Sequence, residues 1–156
     1  MTGAAHILVT YADDDGAAAH TARLIADTLV LHGLHSTVRP VDRAGAIGGY
    51  DAVVLGSTAR AGHWLRRAVR FALANQAGLR RVPVWLYSNS SPGDALVPEQ
   101  RIALDPVEEA VEPRDHHPFL SGGARIAWAP HALEPEPGEV CGWAHQIAAA
   151  LRPEGT

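Results

Sequence analysis

The most constraining stretch is the first one. His6-Ile7-Leu8-Val9-Thr10-Tyr11 is a short apolar run that breaks at Ala12-Asp13-Asp14-Asp15-Gly16 and passes at once into the alanine-rich Ala17-Ala18-Ala19-His20. A buried strand, a tight turn built on one glycine and a helix N-terminus follow one another without a spacer. In α/β proteins this layout points the free N–H groups of the helix into the turn, where the helix dipole favours an anion. Here the turn itself carries three carboxylates.

Two further apolar runs, Tyr50-Asp51-Ala52-Val53-Val54-Leu55-Gly56-Ser57 and Val82-Pro83-Val84-Trp85-Leu86-Tyr87-Ser88, read as strands from the middle of a parallel sheet. Ala18, Ala22, Ile25, Ala26, Leu29 and Val30 repeat at helical spacing, and Gly33 supplies a stop. Ser36–Arg39 reads as a short polar edge strand. Thr58–His63 reads as a loop leading to a helix over Trp64–Ala77, with Arg66, Arg67 and Arg70 on its outer side. Asn89–Pro92 reads as a loop, Gly93–Ala103 as irregular and Pro106–Val111 as a short helix. Arg114–Leu120 reads as the last strand, Ala124–Gly138 as a loop and Glu139–Leu151 as a closing helix, with a disordered tail. This alternation predicts an α/β fold: one domain over residues 1–156, an ordered core of about 5–152, and five parallel strands with helices on both faces. Ligands in such sheets bind at the carboxyl ends of the strands, which selects Ala12–Ala19, Thr58–Trp64 and Asn89–Gly93.

Composition removes several functions. A formal charge of −4 argues against nucleic acid as the main partner. Every one of the 13 basic residues is arginine, so Schiff-base and P-loop lysine chemistry are excluded. Cys141 is the only cysteine, which excludes an intramolecular disulfide and reads as a buried thiol. No run is long and apolar enough to span a membrane and no leader pattern opens the chain, so a cytoplasmic location is expected. Gly56-Ser57 lacks the frame of a nucleophile elbow, and no catalytic residue is identified.

The aspartates admit three readings. They form a solvated turn in which Asp14 or Asp15 caps the helix, a metal site completed by His20, His63 or His116, or a site for a cationic or polyhydroxy ligand. Nothing in the spacing demands a metal, and none is expected. Ser88, Asn89 and Ser90 offer hydroxyl and amide groups to a ligand ring or form an ordinary turn. Trp64 opens a helix, where tryptophan is more often core than ligand stack. His6, His32, His35 and His145 read as surface residues, and His117 as the outward-facing member of His116-His117. Trp128 and Ala129 are candidates for a contact surface.

With these loops in this order, the chain resembles the flavodoxin-like family, with the nearer likeness to flavodoxin-type protoporphyrinogen oxidases and related actinobacterial flavodoxin-domain proteins. Four stretches carry the resemblance: Ile7–Ala12 with Gly16, Tyr50–Ser57 with Gly62-His63-Trp64-Leu65, Val82–Ser88, and Arg114-Asp115-His116-His117-Pro118-Phe119-Leu120-Ser121-Gly122. It implies a three-layer α/β/α sandwich with strand order 2-1-3-4-5 and a site for flavin mononucleotide (FMN). The implied cofactor residues are Asp13, Asp14, Asp15, Gly16, Ala17 and Ala18 at the phosphate, and Thr58, Ala59, Arg60, Gly62, Trp64, Ser88, Asn89 and Ser90 at the ring. The family places serine or threonine hydroxyls where this chain has Asp13, Ala17 and Ala18; only Gly16 is kept. Up to three charge-assisted hydrogen bonds are lost, each worth about 1.5–3 kcal/mol. A carboxylate at 4 Å adds about 4 kcal/mol of repulsion at an effective dielectric near 20. Arg60 stands where the family stacks an aromatic side chain, and either lies over a flavin or pairs with the aspartate loop. The expectation is a degenerate FMN site with weak or no FMN binding and a role in binding a redox or regulatory protein. The alternative is a working FMN-dependent oxidoreductase or electron carrier.

Overall fold

Three apolar runs form the middle of one sheet in the computed structural model, which describes residues 4–14, 16–90, 104–120 and 137–152. Asp15, residues 91–103, residues 121–136 with the contact-surface candidates Trp128 and Ala129, and residues 153–156 lie outside the described residues. The chain forms β1 (His6–Ala12), α1 (Ala17–Leu31) and β2 (His35–Pro40), then a 3-10 turn at Val41–Arg43. β3 (Ala52–Arg60), β4 (His63–Trp64), α2 (Arg66–Ala74) and α3 (Gln76–Leu79) follow. β5 (Val84–Ser90), α4 (Asp105–Val111), β6 (Asp115–Leu120) and α5 (Pro137–Leu151) complete the order.

The main strands run parallel in the order β2-β1-β3-β5-β6. Val9 stands beside Val54, Val54 beside Trp85, and Trp85 beside Asp115. On one face Ile7, Val9, Val54 and Tyr87 pack against Ile25 and Leu29 of α1 and Trp143 and Ile147 of α5. On the other, Leu8, Val53, Leu55 and Leu86 meet Ala68 and Phe71 of α2 and Val107 and Val111 of α4. Each buried isoleucine or leucine contributes about 1.5–3 kcal/mol, more than any single helix propensity, so burial of the apolar stripes decides where the helices lie. No helix among the described residues is long and apolar enough to cross a membrane.

Four expectations need correction. Thr58, Ala59 and Arg60 are not loop: they extend β3, and Arg60 and Ala59 pair antiparallel with His63 and Trp64. The two turn residues, Ala61 at φ 50° and Gly62 at φ 81°, both take the left-handed conformation that suits a tight hairpin. Trp64 therefore belongs to β4 and not to a helix, and the expected Trp64–Ala77 helix is two pieces. The break is at Asn75, whose side-chain amide donates to the Phe71 carbonyl at 2.9 Å alongside its own backbone N–H at 3.0 Å. Asn89 and Ser90 are strand residues of β5, a polar continuation of a buried run. Cys141 is half-buried, not enclosed. The outer strands are half-exposed, and each carries a proline, Pro40 on β2 and Pro118 on β6.

Close contact between β3 and β5 locks the sheet. A Cβ added to Gly56 would lie 2.0 Å from the Tyr87 ring, which is itself held edge-on by Phe119 and Trp143. Gly56→Ala is expected to cost about 3 kcal/mol or more, measured by urea unfolding, because the ring has nowhere to go. Thr10 on β1 is fully buried, and its hydroxyl has no hydrogen-bond partner among the described residues. Thr10→Val keeps the shape and removes that group, and is expected to stabilise the fold by about 1 kcal/mol in the same assay.

Candidate functional site

The β1–α1 turn converges on the start of α1. Gly16, at φ 93°, occupies a left-handed position that lets the chain reverse into the helix. Asp13, three residues earlier, folds over this helix end. One carboxylate oxygen accepts the Gly16 N–H at 2.6 Å and the other accepts the Ala19 N–H at 2.6 Å. These are N–H groups that a bound anion would take at such a terminus. Of Asp13 and Asp14 it is Asp13, not Asp14, that folds back over the helix start, and its charge also complements the helix dipole; the reading of Asp15 as a cap lies outside the described residues.

Asp14 points the other way. Its carboxylate pairs with Arg60 Nε at 2.9 Å and lies 4.0 Å from Arg67, while Arg67 also donates to the Asp13 carbonyl at 2.8 Å. Thr58 Oγ1 accepts the Asp14 backbone N–H at 3.3 Å, tying the turn to β3. The guanidinium groups and Asp14 are partly exposed, so each ion pair is worth about 0–1 kcal/mol and serves mainly to place the loop. Of the residues expected at the phosphate, the structure brings together Asp13, Asp14, Gly16, Ala17 and Ala18 at this terminus. Arg67 was missed. Its signal was an arginine one helical turn beyond Trp64, on the side that faces the strand ends.

Below the turn lies a polar layer at the carboxyl ends of β3 and β5. Trp64, buried in the core, donates its indole N–H to Ser88 Oγ at 2.7 Å. Ser88 Oγ also meets His116 Nε2 at 2.7 Å. An indole only donates, so Ser88 Oγ accepts from Trp64, and the same oxygen links on to the His116 ring. Ser57 Oγ accepts the Leu65 N–H at 3.1 Å, holding the hairpin against α2. On the opposite face the Asn89 amide donates to Thr21 Oγ1 at 3.1 Å, and the Tyr87 hydroxyl donates to the Ala18 carbonyl at 2.8 Å. Ser57, Thr21 and Tyr87 were not singled out from sequence, although Thr21 was visible as a polar residue on the apolar stripe of α1.

His116 and His117 point to opposite faces and are both half-buried. His117 does not simply face outward: it pairs with Glu139 at 2.9 Å and packs against Phe119 and Trp143. Among the described residues no group of three histidine, cysteine, aspartate or glutamate side chains could hold a metal ion.

No protein-family model matches the chain. No curated protein matches it. Solved structures do. A flavodoxin from the domain Archaea superposes with a TM-score of 0.70 at 12% identity, covering 94% of this chain and 98% of that one. Flavodoxin 1 from Bacillus cereus gives 0.64 at 16%, covering 94% and 97%. The rubredoxin oxygen:oxidoreductase of Desulfovibrio gigas gives 0.68 at 14% over 94% of this chain, which spans only 36% of that protein. The fold is flavodoxin-like.

The Tyr87 hydroxyl offers a test of how tightly this end is closed. Burial, reinforced by the charges of Asp13 and Tyr11, holds the phenol well above its ordinary value. The native state then keeps a proton that the unfolded chain loses near pH 10, so stability falls as pH rises above about 10. Tyr87→Phe is expected to lose about 1 kcal/mol at neutral pH and to show a shallower alkaline decline. Equal alkaline slopes in urea unfolding of the two proteins would refute this.

Proposed function

We propose that this protein is a flavodoxin-fold module whose phosphate site is filled by its own Asp13 carboxylate, and that it works by binding a partner protein, within the cytoplasm, more than by carrying FMN. The supporting observation is the pair of 2.6 Å contacts from Asp13 to the N–H groups of Gly16 and Ala19. An FMN phosphate would have to displace the carboxylate from both. Replacing two charge-assisted hydrogen bonds of about 1.5–3 kcal/mol each opposes binding by about two to four decades. Repulsion from the displaced carboxylate adds to this. On the ring side, Arg60 is turned to Asp14 and Trp64 is built into the core, which leaves neither in a stacking position.

One observation favours the second reading, an FMN-dependent redox protein of the flavodoxin or protoporphyrinogen-oxidase-like type. Arg60 and Arg67 both reach the mouth of the turn on half-exposed side chains. Swung away from Asp14, they would meet an incoming phosphate with two guanidinium forks.

Flavin titration separates the two. The protein as purified should show no flavin absorption bands, and fluorescence quenching should give an FMN dissociation constant in the high micromolar range or weaker, about that of riboflavin. Asp13→Thr with Ala17→Ser and Ala18→Thr is expected to tighten FMN at least about 100-fold without tightening riboflavin. Submicromolar FMN binding by the unaltered protein would overturn the proposal and establish the redox reading.

A further inference from the structure

The amino ends of β5 and β6 carry an arginine cluster at the far end of the sheet from the β1–α1 turn, about 20 Å away along a seven-residue strand. Arg80, Arg81 and Arg114, with Val82, Pro83 and Glu112, line a groove of about 290 Å³. Two of the three guanidinium groups are already held. Arg80 lies 2.5 Å from the Glu112 carboxylate and donates to the Glu109 carbonyl at 3.4 Å. Arg114 lies over the Trp85 ring at 5.9 Å, and its backbone N–H donates to the Val84 carbonyl at 2.7 Å. Arg81 has no side-chain hydrogen bond or ion pair among the described residues and borders the same groove. Glu112 sits in the left-handed region, at φ 49° and ψ 65°, a conformation that a non-glycine residue keeps at a cost. Three cations against one carboxylate leave a local positive excess on a chain of net charge −4.

We propose that this groove binds a phosphate dianion, either free or as the phosphoryl group of a small monoester. A planar carboxylate is satisfied by one guanidinium fork. A tetrahedral dianion presents oxygens in several directions and can engage three forks at once. The small volume, with three arginines among the residues that line it beside Val82, Pro83 and Val111, suits a compact oxyanion better than a ring-bearing ligand. Glu112 acts as an internal competitor for Arg80, so that the ligand exchanges for a carboxylate already in place. The groove is independent of the flavin question, since it shares no residue with the β1–α1 turn.

The test is calorimetric titration of the intact protein with inorganic phosphate and, separately, with glycerol 3-phosphate, at constant ionic strength. Saturable binding of either probe below about 10 mM is expected, and the tighter of the two identifies the free anion or the ester as the ligand. Arg81→Gln should weaken binding about tenfold, and Glu112→Gln should tighten it by freeing Arg80, whereas Arg66→Gln on the outer face of α2 should leave it unchanged. Absence of saturation would overturn the proposal. So would binding that Arg81→Gln leaves intact, which would locate the anion elsewhere, or succinate binding as tightly as phosphate, which would mark a nonspecific basic patch.

Discussion

Backbone N–H groups at the start of a helix must find an acceptor, and for those of Gly16 and Ala19 the acceptor is Asp13. The rest of the turn follows from that choice. Once Asp13 folds over Gly16 and Ala19, its own carbonyl is presented outward to Arg67, and Asp14 is turned to Arg60. A cap of this kind contributes about 0.5–2 kcal/mol, more than either exposed ion pair, so the carboxylate sets the loop and the arginines adapt to it. An anion site and a capped helix are therefore alternative states of the same N–H groups.

The layer beneath is held by a different device. Gly56 has no side chain because Tyr87 uses that space, and the tyrosine hydroxyl reaches across to the first turn of α1. Trp64, Ser88 and His116 do the corresponding task on the other face through two hydrogen bonds that meet at Ser88 Oγ. Polar residues at the carboxyl ends of the central strands are thus engaged with one another. In a sheet of this topology those ends are where a ligand would be sought.

Much of this architecture was legible. Ile7–Val9, Ala52–Leu55 and Val84–Tyr87 are long enough and apolar enough to demand the centre of a parallel sheet, and the stripes on α1 and α5 have one way to face it. The hairpin after β3 was not legible, because Ala61-Gly62 is not a usual turn pair and alanine gives no hint that it will take positive φ. Asn89 and Ser90 look like loop residues, and become strand only because Thr58 and Leu120 offer them neighbours in register. Asp13 and Asp14 are indistinguishable by composition; which of the two folds over the helix start is decided by the geometry of the turn. Arg60 was readable as a partner for the loop, but Arg67 depends on where α2 begins, two residues later than its apolar pattern suggests.

The two prolines on the outer strands bear on the behaviour of the molecule in crowded solution. A parallel sheet ends in two rows of backbone donors and acceptors, and an unguarded row is a template on which another chain can add a strand. Pro40 closes β2 and Pro118 interrupts β6, each removing a donor where edge strands tolerate its loss. Half-exposed histidines and arginine on the same strands add polar bulk. Among the described residues the two outer strands are in this way poor templates for edge-to-edge growth into aggregates.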